Sequence, residues 1–208
     1  GTWFQSEPGT NPGFLYQQNS LRDALVAGLS LHVFHKHHQR VRMANIAQLV
    51  NVLQAMILTD GPRMILTPTY HVFEMFKSHQ DGMVLDCWIP DGQTVPAALG
   101  DPAMLETVAT PSLSATKAAD CSITLSACNA HLEFGIRLRI DMGGCTAAQL
   151  AGAAARTLTH ERPEAHNSFD KPDEVRPASC QVLHGEGWLE VELPPASVTV
   201  ITLPAREE

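Results

Sequence analysis

Two hydrophobic periods divide this chain. Between Asn19 and His79 the apolar residues recur at three- and four-residue spacing, whereas beyond Gly82 they alternate with polar ones. Leu21, Ala24, Leu25, Gly28 and Leu29 share one helical face, and Ser20 stands three residues before Asp23 as a capping-box-like start. That helix continues through Leu31–Phe34 into a His-rich turn. Val41–Ile46 then predicts a short strand, and Leu49, Val52, Leu53 and Met56 return to helical spacing. Helix, strand and helix within some forty residues is an α/β repeat. Asp60-Gly61-Pro62 predicts a turn, Met64-Ile65-Leu66 is a short apolar run, and Thr67-Pro68 reads as an N-cap followed by proline at the first helical position. The helix after it should run to Lys77, bury Val72, Met75 and Phe76, and end near Asp81-Gly82.

The second half predicts strands. Ile123 and Leu125 alternate with Ser122, Thr124 and Ser126; Phe134, Ile136, Leu138 and Ile140 alternate with Arg137, Arg139 and Asp141. Leu189, Val191 and Leu193 alternate with Glu190 and Glu192, and Ser197–Leu203 is rich in β-branched residues. Such strands are expected to be antiparallel and half buried, with Phe134 in the core, and several at short spacing argue for a β-sandwich. Ala147–Ala155 should form a short surface helix. The change of period places a domain boundary between residues 81 and 82.

Charge supports the same division. Residues 1–80 hold six Lys/Arg against four Asp/Glu, while residues 81–208 hold eight against eighteen, within a net charge of -8. Neither half offers the basic surface that nucleic acid requires. No apolar run reaches the roughly 20 residues of a membrane span. The five cysteines all lie beyond residue 81, are odd in number and contain no C-x-x-C, so small buried thiols in a reducing compartment are expected over a disulfide framework. The chain opens on Gly1-Thr2-Trp3-Phe4, without an initiator methionine, which predicts that it begins in mid-fold.

Candidate chemistry is sparse. His32, His35, His37 and His38 form the densest cluster, and imidazole suits divalent metals. No Cys or carboxylate joins them at ligand spacing, so no metal is expected; their place near a helix end suits imidazolium and the helix dipole. His71 and Glu74 are a second i,i+3 pair with a solvated or packing role. The acids of the first half, Glu7, Asp23, Asp60 and Glu74, form no obvious catalytic pair. Gln48 follows the expected strand Val41–Ile46, where an amide could meet sugar hydroxyls, and Trp3 offers a flat apolar wall. On composition and spacing alone, ordinary packing outweighs both readings.

Longer runs are more specific. Asn11–Gly28, Arg42–Leu53, Thr67–Met75 and His166–Pro177 resemble the C-terminal half of the family 51 glycoside hydrolases, the α-L-arabinofuranosidases. His35-Lys36-His37-His38 departs from the Asn-Arg-His-Ala commoner in that family. The resemblance implies the C-terminal part of a (β/α)8 TIM barrel over residues 1–81, then a jelly-roll-like antiparallel β-sandwich over 82–208. It implies a retaining mechanism with two glutamates, both expected upstream of Gly1, so the chain itself is expected to be inactive. It assigns Trp3 to the wall of the arabinose pocket and Gln48 to a sugar contact. The implied partner is an arabinose-containing oligo- or polysaccharide, with no cofactor, nucleic acid or membrane, in a homo-oligomer of cytoplasmic rather than secreted location. The alternative is a non-catalytic carbohydrate-binding β-sandwich, which would present an exposed aromatic platform among Trp88, Phe134, Phe169 and Trp188.

Overall fold

In the computed structural model, residues 18–47, 49–90, 93–97 and 106–206 are described. Helix α1 spans Leu21–Lys36 and helix α2 Pro68–Phe76, followed by a 3₁₀ turn at Lys77–His79. Between the helices lies a hairpin of β1 (Ile57–Asp60) and β2 (Arg63–Leu66), turned at Gly61 with φ +56°. The remaining strands are β3 (Met83–Leu85), β4 (Gln93–Ala97), β5 (Glu106–Thr110), β6 (Ser112–Lys117), β7 (Ile123–Asn129) and β8 (Ile136–Asp141). After the short helix α3 (Ala147–Ala151) come β9 (Ala154–Leu158), β10 (Ala178–Cys180), β11 (Val182–Gly185), β12 (Trp188–Leu193) and β13 (Ser197–Leu203).

All pairs among these strands are antiparallel, and an isolated bridge from Val50 to Ile57 of β1 is parallel. A six-stranded sheet in the order β10-β9-β13-β7-β6-β3 faces a three-stranded sheet β11-β12-β8, and β4-β5 forms a separate ribbon. Ile123, Ala127, Ile201 and Leu203 of the larger sheet meet Leu189, Val191 and Leu193 of the smaller one in one apolar cluster. This is the expected sandwich core. The opposite face of the larger sheet is also covered: Leu21, Ala24, Leu25 and Leu31 of α1 and Val72, Met75 and Phe76 of α2 pack with Cys128, Leu158, Val198 and Val200. The chain is therefore three layers deep, helices on sheet on sheet.

Several sequence expectations need correction. Val41–Ile46 is not a strand; it is irregular, with its residues half-buried or exposed, because no other strand among the described residues lies beside it to accept its hydrogen bonds. Leu49–Met56 is not a helix. Asn51 and Leu53 have φ of +58° and +45°, and the Asn51 side chain accepts from Thr59 N at 2.7 Å and donates to its hydroxyl at 2.8 Å, bending the segment back onto β1. Phe134 is 63% exposed rather than core, since β8 starts only at Ile136 and the ring rests on His131 with centroids 4.6 Å apart. The alternating strands differ in kind: β8 is half exposed as expected, whereas β13 is buried at six of its seven positions because helices cover its second face.

Capping follows the sequence closely. Asp23 accepts from both the amide and the hydroxyl of Ser20 at 2.9 Å. The first amides of α1 also find distant partners, Leu21 N donating to Ala165 O and Arg22 N to Pro163 O, both at 2.9 Å. Helix α1 approaches the sheet most closely at Gly28, where an added Cβ would lie 2.9 Å from Cys128 Sγ and 3.2 Å from Val198 Cγ2. Gly28→Val should thus lower unfolding free energy by about 1–3 kcal/mol through overpacking. In urea titrations, combining it with Cys128→Ala should recover part of the loss; strict additivity would show that the contact is not the cause.

Candidate functional site

Trp3 and Gln48 lie outside the described residues. The segment just before Gln48 does appear: Asn45, Ile46 and Ala47 line a cleft of about 570 Å³ together with Asp23, Gln54 and Thr69. Its floor is ordered by Asn19, whose amide donates to Thr69 Oγ1 at 2.8 Å and Gln54 Oε1 at 3.2 Å and whose carbonyl accepts from Thr69 N at 3.1 Å. One buried asparagine thus supplies an acceptor to the first turn of α2 and ties α2 to the start of α1 and to the loop before β1.

Carboxylates in the helical part are engaged in structural contacts. Asp23 is committed to Ser20, Asp60 pairs with Arg63, and Glu74 of α2 takes a 2.9 Å contact from Arg156 of β9. Retaining hydrolysis needs two carboxyl groups about 5–5.5 Å apart. Asp23, Asp60 and Glu74 each face a structural partner instead of a second carboxyl. Among the described residues no three His, Cys, Asp or Glu side chains group as a metal site.

The histidine cluster has a different role from the one its position suggested. His32 is inside α1, 5% exposed, with Nδ1 2.9 Å from Ser112 Oγ and Nε2 2.9 Å from Ser126 Oγ. His79, also 5% exposed, reaches Thr116 Oγ1 through Nδ1 and the same Ser126 Oγ through Nε2, both at 2.9 Å. His35 Nδ1 lies 2.8 Å from Ser114 Oγ. Burial first, and the neighbouring imidazoles second, lower the pKa of His32 and of His79 from 6.5 to about 3. With both ring nitrogens on serine hydroxyls and the ring buried, His32 is placed against the sheet rather than at the helix end to answer its dipole. His37 and His38, past the helix end, are exposed.

Sequence reading missed the hydroxyls that receive these rings. Ser112, Ser114 and Thr116 alternate along β6, and Thr124 and Ser126 along β7, on the face turned toward the helices. A signal existed: these polar positions carry only small hydroxyls, while the solvent-facing positions of β8 and β12 carry Arg137, Arg139, Glu190 and Glu192.

The segment His166–Pro177 belongs to the connection from β9 to β10. Asn167 donates to Leu66 O at 2.8 Å and Val175 O at 2.9 Å and accepts from Val175 N at 2.7 Å. Phe169 lies under the Arg63 guanidinium, 4.7 Å from its centroid, and Glu174 is surrounded by His160, Arg162 and Lys171 at 3.5–3.6 Å. The segment is a brace between the hairpin, α1 and the sandwich.

The family model described as "Alpha-L-arabinofuranosidase C-terminal domain" matches residues 1–197. The chain belongs to that family. An intracellular exo-alpha-L-arabinofuranosidase of Bacteroides ovatus is 42% identical over 98% of this chain and 38% of its own length. An intracellular exo-alpha-(1->5)-L-arabinofuranosidase of Streptomyces lividans is 26% identical, over 80% of this chain and 24% of its own. Among solved structures, the GH51 arabinofuranosidase from Xanthomonas axonopodis pv. citri superposes with a TM-score of 0.81 at 41% identity, covering 98% of this chain and 40% of that one. The chain thus spans about two-fifths or less of these relatives. As an arabinofuranosidase C-terminal domain it has the mainly antiparallel architecture of that structure, and no helix among its described residues is long and apolar enough to cross a membrane.

Of the five cysteines, which form no disulfide, only Cys128 is fully buried, and desolvation raises its pKa well above the usual thiol range. Asn167→Ala would leave two buried carbonyls and one amide without their partners. It should cost about 2–4 kcal/mol of stability, read as a lowered urea midpoint. An unchanged midpoint would remove Asn167 from its bracing role.

Proposed function

We propose that this chain is the C-terminal part of a retaining α-L-arabinofuranosidase that removes terminal non-reducing α-L-arabinofuranosyl groups from arabinan or arabinoxylan oligosaccharides. The observation that carries the reading is the 42% identity to an exo-α-L-arabinofuranosidase over 98% of this chain but only 38% of that protein. In this reading residues 1–81 complete a (β/α)8 barrel and residues 82–208 form its jelly-roll sandwich. The acid/base and nucleophile glutamates come from barrel strands that precede Gly1 in sequence, while Trp3 and Gln48 complete the wall and polar rim of the arabinose pocket. The intracellular location named for the Bacteroides and Streptomyces proteins is carried over to the whole enzyme. Assembly of that enzyme into a homo-oligomer belongs to the same proposal.

The structure-level support is twofold. Asn45–Ala47, leading to Gln48, line a cleft on the helical side, and Asp23, Asp60 and Glu74 serve a cap and ion pairs, while Glu7 lies outside the described residues. Incubated with 4-nitrophenyl α-L-arabinofuranoside, the purified 208-residue chain should release nitrophenol no faster than buffer. Turnover would contradict the placement of both glutamates.

A second reading, a carbohydrate-binding sandwich, is favoured by one observation: Trp88 is 84% exposed. Two of the other aromatics are covered, Phe169 by Arg63 and Trp188 by the Arg139 guanidinium 4.1 Å above its ring. Titrating the chain with arabino-oligosaccharides while following tryptophan fluorescence separates the two. The enzyme reading expects no saturable change that depends on Trp88; a saturable one lost in Trp88→Ala establishes the binding module.

A further inference from the structure

The interface between the helices and the six-stranded sheet has an unusual chemistry. Three imidazoles, His32 and His35 of α1 and His79 of the 3₁₀ turn, meet four hydroxyls of β6 and β7 around the Phe76 ring. The His35 and His79 rings meet at a tilt of 57°, with centroids 4.8 Å apart. Ser126 sits between His32 and His79, and its hydroxyl has a single proton. It can donate to only one Nε2, so at least one of the two rings carries its own proton on Nε2 and donates back. The whole chain is satisfied with both rings neutral.

We propose that this cluster is an acid-sensitive joint, which holds the helices to the sheet while its histidines are neutral and is driven apart when they take up protons. The surroundings explain why. From α1 the groups facing the rings are His35 and, beyond it, His38 and Lys36; α2 contributes Phe76; β6 and β7 contribute the hydroxyls of Ser112, Ser114, Thr116 and Ser126 and, alongside, the thiol of Cys128. Asp86, exposed after β3, is the only carboxylate among the described residues that line the neighbouring cleft, and the pKa values of the three rings are lowered by burial and by neighbouring imidazoles, with no carboxylate opposing them. Two or three like charges would share one buried site without a counter-ion.

The direction follows from linkage. His32 and His79 have folded pKa values lowered to about 3 against 6.5 when unfolded, so stability is complete above pH 6.5 and is lost as pH falls toward 3. Each buried ring adds up to one proton taken up on unfolding. Together they multiply the unfolding equilibrium constant by about a hundredfold per pH unit between roughly pH 6 and 4.

Urea unfolding of the 208-residue chain at stepped pH tests this. Relative to the unmodified chain, His79→Gln should flatten the dependence by about tenfold per unit, and His32→Gln/His79→Gln by about a hundredfold. Equal slopes for all three would overturn the proposal. If a variant fails to fold, NMR of the unmodified chain decides: the Cε1–H resonances of His32 and His79 should keep their neutral positions from pH 7.5 to the onset of unfolding. Titration of those resonances near pH 6.5 in the folded chain would equally overturn it.

Discussion

A β-sheet buried on both faces must satisfy every polar side chain it carries, and the six-stranded sheet of this chain does so on one face with imidazole. Its other face is ordinary: Ile201, Leu203 and Ala127 close against Leu189, Val191 and Leu193 as in any two-sheet core. On the helical side, Val198, Val200 and Cys128 provide apolar contact with α1, while the neighbouring β6–β7 pair presents hydroxyls. Buried hydroxyls without partners would each cost about 1–3 kcal/mol. His32, His35 and His79 remove that penalty, and in doing so fix which face of α1 meets the sheet and where the turn after α2 must lie.

Other long-range ties share one design, a single amide side chain closing several polar groups at once. Asn19 joins the start of α1 to α2, and Asn167 joins the β9–β10 connection to β2. Asn129 does this within the sandwich, donating to Phe134 O and Pro194 O at 2.9 Å. Surface ion pairs such as Glu74–Arg156 add direction but little energy, being well exposed. The motif runs that carry the family likeness are therefore to a large extent architectural. Asn167 is conspicuous in sequence because three backbone partners depend on it.

Legibility in the sequence followed locality. Helix α1, its Ser20–Asp23 cap, the Thr67–Pro68 start of α2, the Gly61 turn and strands β7, β8, β12 and β13 were all readable, because each is encoded in a few neighbouring residues. Val41–Ile46 misled because strand propensity is worth nothing without an adjacent strand, and Leu49–Met56 because Asn51 and Leu53 adopt a left-handed backbone that helical spacing does not report. The role of His32 was hidden for a third reason. Whether a histidine on a helix faces solvent, metal or a sheet hydroxyl depends on Ser112 and Ser126, eighty or more residues away. The family resemblance identified the chain, yet the two residues it assigned to the sugar, Trp3 and Gln48, lie outside the described structure.

Packing runs across residues 81 and 82, since α1 and α2 share buried neighbours with β7, β9 and β13. The central claim is that helices and sandwich stand or fall together through that shared face. Native-state hydrogen exchange at neutral pH tests it most directly. The slowest amides of α1 and of β13 should open with the same free energy and the same denaturant dependence. Opening of α1 at a distinctly lower free energy, with β13 still protected, would contradict it.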